Sequence, residues 1–227
     1  MHAIIVADGD VQSGTAVRRA LHPFQDASAL VIAADGGALK AARLGLKPSV
    51  VVGDGDSLEP DRAEELRRDG LDVIVHPAQK DESDTELAVR EALARGADNI
   101  VIVGAFGGGR LEHSVANLLL LTLPELSGMD VALVDGPSTV RVIGGSGPGQ
   151  LTITGDVGDY VSLLALSERV EGVTTSGLRY PLTEDALLQG PTRGLSNELA
   201  TDRAEVLTQH GRLAVIHSQR SRESSDV

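Results

Sequence analysis

Two short acidic clusters hold the residues of this chain best suited to chemistry: Gly53-Asp54-Gly55-Asp56-Ser57 and Lys80-Asp81-Glu82-Ser83-Asp84. Each follows a run that reads as a strand. Carboxylates gathered at strand ends repel one another unless a hard cation such as Mg²⁺ joins them, so the pattern points to phosphate chemistry. In an extended segment, residues two apart project to the same side, which places Asp54 and Asp56 together. At the carboxyl end of a parallel strand that side opens onto the usual ligand crevice. Asp81 and Asp84 flank the start of a helix, where negative charge also suits the helix dipole. Lys80 adds a cation that can hold a phosphate while carboxylates hold a metal.

A third element runs from Gly104 through Gly107-Gly108-Gly109-Arg110 to Glu112-His113. It follows a strand and opens a helix, so its backbone N–H groups can cradle phosphate oxygens. Arg110 supplies a planar fork matched to phosphate. The Gly-x-x-x-x-Gly-Lys-Ser/Thr phosphate loop occurs nowhere in the chain. His113 and Asn117 are four apart and share a helix face. Further on, Ser196 and Asn197 lie in a polar loop and could hydrogen-bond a small molecule with a polar ring.

The elements that must position these groups alternate over the first part of the chain. Strands are expected at Ala3–Ala7, Ala29–Ala34, Ser49–Val52, Asp72–His76, Asn99–Val103 and Asp130–Val134. Helices are expected near Gly14–Leu21, Gly37–Leu44, Pro60–Asp69, Ser83–Arg95 and Glu112–Leu121. Ser83 and Glu86 form a capping-box signature for the fourth. The rhythm implies an α/β fold, a doubly wound and mostly parallel sheet with helices on both faces. Near Gly144–Gly149 the pattern changes at a turn cluster or interdomain linker. Strand-like runs follow at Leu151–Thr154, Tyr160–Leu166, Val170–Thr174 and Leu213–His217, which suggests a smaller all-β unit. The expected organisation is a catalytic domain over 1–145, a β domain over 150–219 and a flexible tail over 220–227.

The 227 residues carry a formal net charge of −13 and include no Cys and no Trp. An acidic chain without a basic run does not suit a general nucleic-acid binder. The lack of Cys excludes a thiolate nucleophile and Cys-ligated zinc. No apolar run reaches the length of a membrane span, and the first residues open as a strand without a signal-peptide pattern. A soluble, cytoplasmic protein is expected.

At these residues the chain resembles the thiamine pyrophosphokinase (thiamine diphosphokinase) family. Asp35-Gly36-Gly37 matches the family's Asp-Gly-Gly, Gly53–Ser57 its Gly-Asp-x-Asp-Ser, and Lys80–Asp84 its Lys-Asp-x-Thr-Asp with Ser83 for Thr. Gly108–His113 matches Gly-Gly-Arg-x-Asp-His, with Glu112 for Asp and a loop one glycine longer. Val115–Leu118, Gly177–Leu182 and Ser196–Glu198 match later elements in order. Tyr180 is a candidate for the ring-stacking role that a Trp fills in some relatives.

The resemblance implies a C-terminal β-sandwich and a homodimer with active sites at the subunit interface. It also implies the reaction, in which ATP and thiamine give AMP and thiamine diphosphate. Asp54, Asp56 and Asp84 are then expected on Mg²⁺, with Asp81 joining them or supporting Lys80. Arg110 and Lys80 are expected on phosphate, and Asp56 or Asp84 could take the hydroxyl proton. Asp8, Gly9, Asp35, Gly36, Gly108 and His113 are expected along the nucleotide crevice, with Ser196, Asn197 and Lys80 toward thiamine. Three rivals are weighed: a pyrophosphokinase for another hydroxymethyl heterocycle such as a pterin, an aspartate-nucleophile phosphatase, and a non-catalytic nucleotide or thiamine sensor. Ser57 directly follows Asp56, which does not fit the phosphatase spacing.

Overall fold

The structure is a computed structural model and describes residues 1–12, 14–22, 29–54 and 60–220. The chain divides into two compact units, Met1–Leu123 with Met129–Gly136, and Pro124–Gly128 with Pro137–Val227.

In the first unit strand and helix alternate: β1 (His2–Val6), α1 (Thr15–Leu21), β2 (Leu30–Ala34), α2 (Gly37–Arg43), β3 (Val50–Asp54), α3 (Pro60–Arg68) and β4 (Asp72–His76). Then follow α4 (Asp84–Ala94), β5 (Asn99–Val103), α5 (Leu111–Leu120) and β6 (Asp130–Asp135). The strands pair in parallel in the order β6-β5-β1-β2-β3-β4. Both faces of this sheet are covered, so its strands are near-continuous Val, Ile and Ala runs. Ile4, Val6, Val31, Val101 and Val103 pack with Ala16, Val17 and Leu21 of α1 and Ala41 of α2. Ala33, Val51 and Val73 pack with Ala63 and Leu66 of α3. The registers place all these strand residues on one face.

The other face presents the fully buried Ile5, Ile32, Val50, Val52, Ile100 and Ile102. Burying each such side chain contributes roughly 1.5–3 kcal/mol. Helix α4 crosses this face over β1, β2 and β3, burying Ala88, Val89 and Ala92. Its small residues allow close approach to the sheet. The return from edge strand β4 to central strand β5 places this helix opposite α1–α3, so the sheet is doubly wound. The winding reverses between β1 and β5, where open α/β sheets bind ligands.

The second unit is antiparallel. It holds β7 (Ser138–Gly145), β8 (Gly149–Thr154), β9 (Tyr160–Ala165), β10 (Arg169–Ser176), β11 (Asp185–Leu188), β12 (Asn197–Glu198), β13 (Arg203–Thr208) and β14 (Gly211–Ser218). One sheet runs β12-β9-β14-β7 and the other β11-β10-β13-β8. Val161, Leu163, Leu213 and Val215 of the first share one core with Ile153, Val170, Leu187 and Val206 of the second, a β-sandwich. The Gly144–Gly149 stretch is the turn from β7 to β8, with Gly144 at φ 79° and Gly145 at φ 140°. Strands β7, β11, β12 and β13 were not among the expected runs. Of the tail expected at 220–227, only Arg220 is described.

Asp159, buried at the start of β9, gathers the ends of this unit. It accepts from His217 Nε2 at 2.9 Å and from the backbone N–H groups of Arg220 at 3.0 Å and Asp156 at 3.1 Å. Burial alone would raise its carboxyl, but these donors outweigh it and hold the group below the usual range. A carboxylate lowered on folding contributes stability above its unfolded value and loses it as pH falls through the folded one. Asp159→Asn should therefore lower the thermal midpoint at pH 7, with the gap closing as pH drops below about 4. A gap that stays constant from pH 7 to pH 3 in thermal melts would contradict this.

Candidate active site

A cleft of about 630 Å³ opens in the first unit and is lined from the carboxyl ends of β1, β2, β3 and β5. Asp8 and Gly9 follow β1, Asp35 follows β2, and Asp54 ends β3. Lys80, Asp81 and Asp84 lie before and at the start of α4, while Gly108 and Arg110 come from the loop after β5 and His113 from α5. Ten of the residues expected at the site thus line one space. Gly36 sits beside Asp8, and Asp56 lies outside the described residues.

The acidic wall is organised by Lys80. Its Nζ stands 2.6 Å from Asp84 Oδ1 and 3.8 Å from Asp54 Oδ2. All three side chains are largely shielded, at 12%, 23% and 21% exposure. Helix α4 fixes this geometry through its start. Ser83 is extended at φ −73°, ψ 158°, and its Oγ accepts from Glu86 N at 3.2 Å. This N-cap bond, the half of the expected capping box that forms, sets where Asp84 enters the cleft, while the Glu86 carboxylate pairs with Arg90 at 2.8 Å. Among the described residues no three His, Asp or Glu side chains form a metal-binding group. Two hard oxygen donors converging on one cationic point nevertheless fit Mg²⁺, which takes one or two carboxylates and completes its shell with waters and substrate phosphates.

Opposite stands the glycine loop. Gly104, Gly107, Gly108 and Gly109 all have φ between 68° and 79°, a region that side chains resist. The loop is hydrogen-bonded to the end of β1: Gly9 N donates to Gly104 O and Asp10 N to Phe106 O, each at 2.7 Å. A Cβ on Gly9 would lie 2.2 Å from Phe106 O, so this residue must be glycine. From α5, buried Asn117 donates through Nδ2 to Ala105 O at 2.7 Å, and Ser114 Oγ accepts from Gly107 N at 3.2 Å. Asn117 therefore anchors the loop, while His113, one turn earlier, lines the cleft.

Arg110 sits at the N-cap of α5. Its Nε donates to Glu112 Oε1 at 2.8 Å, and this bond holds the exposed Glu112 carboxyl below its ordinary value. Asp35 takes φ 53°, a left-handed conformation tolerated by Asp, and its N–H donates to Val52 O at 2.8 Å. One partner escaped the sequence: Lys40 of α2 pairs with Asp8 Oδ1 at 2.7 Å and also donates to the Asp8 carbonyl.

In the second unit, Asn197 is nearly buried and its amide is engaged. Oδ1 accepts from Tyr180 N at 3.0 Å and Glu198 N at 2.9 Å, and Nδ2 donates to Tyr180 O at 2.7 Å. Ser196 is exposed at φ 58°, with its N–H donating to Ser162 Oγ at 3.0 Å. Tyr180 is 61% exposed, and the Arg179 guanidinium lies 5.5 Å from its ring centroid. Arg179 is itself held by Glu198 at 3.1 Å.

Comparison with known proteins matches both units. Residues 21–133 match the family model "Thiamin pyrophosphokinase, catalytic domain", and residues 150–213 match "Thiamin pyrophosphokinase, vitamin B1 binding domain". The crystal structure of thiamin pyrophosphokinase from Geobacillus thermodenitrificans is 30% identical, covers 98% of this chain and 99% of its own, and superposes with a TM-score of 0.79. The chain belongs to the thiamine pyrophosphokinase family. This is a family of enzymes. Thiamine pyrophosphokinase from Bacillus subtilis is 29% identical over 86% of this chain and 90% of that relative. Its crystal structure superposes with a TM-score of 0.80 over 97% of this chain and 100% of its own. Yeast thiamin pyrophosphokinase shares the fold at 14% identity and a TM-score of 0.71, covering 96% of this chain and 86% of its own.

Asn197 ties three backbone groups together, so its loss should be felt without any ligand. Asn197→Ala leaves those groups unpaired and is expected to cost about 2 kcal/mol, or roughly 4–8 °C in thermal midpoint. Ser196→Ala should stay within about 0.5 kcal/mol of the parent. Equal midpoints for the two variants in ligand-free melts would refute the anchoring role.

Proposed function

We propose that the protein is a Mg²⁺-dependent thiamine diphosphokinase, transferring pyrophosphate from ATP to the thiamine hydroxyl and releasing AMP. The observation that carries this reading is the cleft at the β1/β5 switch point, where Asp54 and Asp84 meet on Lys80 and the glycine loop with Arg110 faces them. Family membership supports the choice of substrate. The first unit is read as the catalytic domain and the second as the thiamine-binding and dimerisation domain.

In the proposed reaction the thiamine hydroxyl attacks the β-phosphorus as its proton leaves, and the bond to the α-phosphate bridging oxygen breaks to give AMP. Asp54, Asp84 and Asp56 would hold Mg²⁺, which supplies neutralising charge to the phosphate oxygens. Lys80 keeps two of those carboxylates together and offers its ammonium to phosphate. Arg110 exchanges Glu112 for phosphate oxygens; a guanidinium suits this role because its fork matches two oxygens at once. Asp56 or Asp84 accepts the hydroxyl proton. Asp81 supports the acidic wall, and Asp8, Gly9, Asp35, Gly36, Gly108 and His113 flank the nucleotide. Ser196 and the ring of Tyr180 are assigned to thiamine, with Asn197 setting the backbone between them.

The working assembly is read as a homodimer with active sites at the subunit interface. Leu111, Val115 and Leu119 support this: they form an exposed apolar stripe on α5, which begins at the cleft. Exposed stripes of this kind mark association surfaces. Among the described residues no helix is long and apolar enough to cross a membrane. A cytoplasmic setting fits the need for ATP.

The test is AMP release from Mg²⁺-ATP with and without thiamine, with thiamine diphosphate followed by mass. AMP that appears only with thiamine and matches thiamine diphosphate is the expected result. No AMP despite tight thiamine binding would turn the reading to a sensor, and no thiamine binding would turn it to another hydroxymethyl heterocycle. Asp84→Asn should lower kcat by at least about 100-fold while leaving the fold intact. Near-full activity of that variant at limiting Mg²⁺ would remove Asp84 from the metal set. Ser196→Ala should raise KM for thiamine more than for ATP, and an equal rise would exclude it from the thiamine site.

A further inference from the structure

We propose that Lys40 is a positioning residue that holds the Asp8 carboxylate as an acceptor for the ribose hydroxyls of the nucleotide, and so sets the preference for ribo- over deoxynucleotides. The inference rests on the reading of the cleft as a nucleotide site.

Asp8 follows β1, the strand at which the sheet winding reverses, and its carboxylate lies over Gly36 at the start of α2. A Cβ on Gly36 would come within 2.3 Å of Asp8 Oδ1, so the helix start is cut away to seat this carboxylate. One turn further along α2, Lys40 Nζ reaches the same oxygen at 2.7 Å and also donates to the Asp8 backbone carbonyl. Two attachments from one ammonium fix both the main chain and the side chain of Asp8. The Asp8 side chain remains 50% exposed while Lys40 is 23% exposed, so the held carboxylate still faces the cleft.

What such a group can bind follows from its chemistry. An ionised carboxylate only accepts hydrogen bonds, so it cannot bind a phosphate oxygen directly. It can meet a cation or a neutral donor. The acidic groups drawn together elsewhere in the cleft, Asp54 and Asp84, converge on Lys80, whereas Asp8 pairs separately with Lys40. Asp8 has its own cation in Lys40, which offsets its charge toward an incoming polyphosphate. The remaining partner is a neutral donor. On a nucleotide whose phosphates lie toward Lys80 and the glycine loop, the hydroxyl donors belong to the ribose. In dinucleotide-binding doubly wound sheets a carboxylate about 20 residues past the first glycine turn recognises a ribose hydroxyl, and Asp8 offers the same group from the end of β1. A site built to hydrogen-bond a hydroxyl rejects the analogue that lacks it.

The test measures binding without thiamine. Affinities for α,β-methylene-ATP and its 2′-deoxy and 3′-deoxy counterparts are determined by calorimetry for the parent, Lys40→Met and Lys40→Arg. The parent should bind the ribo form about ten-fold more tightly than at least one deoxy form, as expected for a hydrogen bond to a charged acceptor. Lys40→Met should reduce that ratio below about two-fold, and Lys40→Arg should restore most of it, with circular dichroism unchanged in both. Asp8→Asn provides a second route and should also flatten the ratio. A parent that does not discriminate would overturn the inference, as would a Lys40→Met protein that keeps the parent's ratio. Discrimination that follows Lys40 in a protein releasing no AMP with thiamine would support this inference while refuting the thiamine reaction.

Discussion

Like charges crowd the carboxyl edge of the parallel sheet, and the site depends on how they are held. Asp8, Asp35, Asp54, Asp81, Glu82 and Asp84 all line one cleft in a chain whose formal net charge is already −13. Left alone they would repel one another and any polyphosphate approaching them. The structure answers with local cations. Lys80 joins Asp54 to Asp84, Lys40 holds Asp8, and Arg110 lies on Glu112. The first two pairs are partly shielded from water, where an ion pair is weakened less by salt than at the surface. The third is open to solvent, which leaves its guanidinium able to exchange partners. Order in the acidic wall and the openness of the Arg110 pair thus come from the same kind of interaction at different depths.

The second constraint is backbone approach. The loop after β5 lies so close to the end of β1 that a side chain on Gly9 would strike Phe106 O and Gly104 O, at 2.2 and 2.4 Å. On the other side of β1, a Cβ on Gly37 would lie 2.0 Å from Val6 O. These contacts bring α2 and the glycine loop together around one strand end. They turn a run of short glycine motifs, far apart in sequence, into one wall. The added glycine of the loop fits the same logic, because three successive residues, Gly107 to Gly109, all adopt positive φ.

The first unit was largely legible because its strands are buried on both faces. A run such as Val50-Val51-Val52 or Ile100-Val101-Ile102 has no other stable place than a covered sheet. Helix α4 was legible through Ser83 and Glu86, which announce a cap by chemistry alone. Strand β13 was not: Arg203 and Glu205 alternate with buried Ala204 and Val206, and their ion pair at 3.0 Å forms on the exposed side. Short strands with such charged outer faces read as polar loops. Lys40 was hidden for a different reason. Its meeting with Asp8 spans 32 residues and exists only once α2 packs beside β1, so no local pattern encodes it. Asn197 shows a third limit, since its residue type suggests ligand contact but nothing in the local sequence announces its three bonds to backbone.

These features suit the proposed transfer, in which the protein would form no covalent bond. Phosphoryl and pyrophosphoryl transfer place their demands on orientation and on charge that shifts between oxygens. A chain without cysteine, whose cleft is lined by carboxylates, Lys80, Arg110 and a glycine loop, supplies these. The rigid part is held by packing: α4 lies across three strands with alanine-rich contacts, so Asp84 enters from a surface that resists displacement. A shift of about 1 Å in such a group can cost two orders of magnitude in rate. The depth of the aliphatic core beneath the acidic wall is therefore a functional property, because it fixes the carboxylates against their own repulsion.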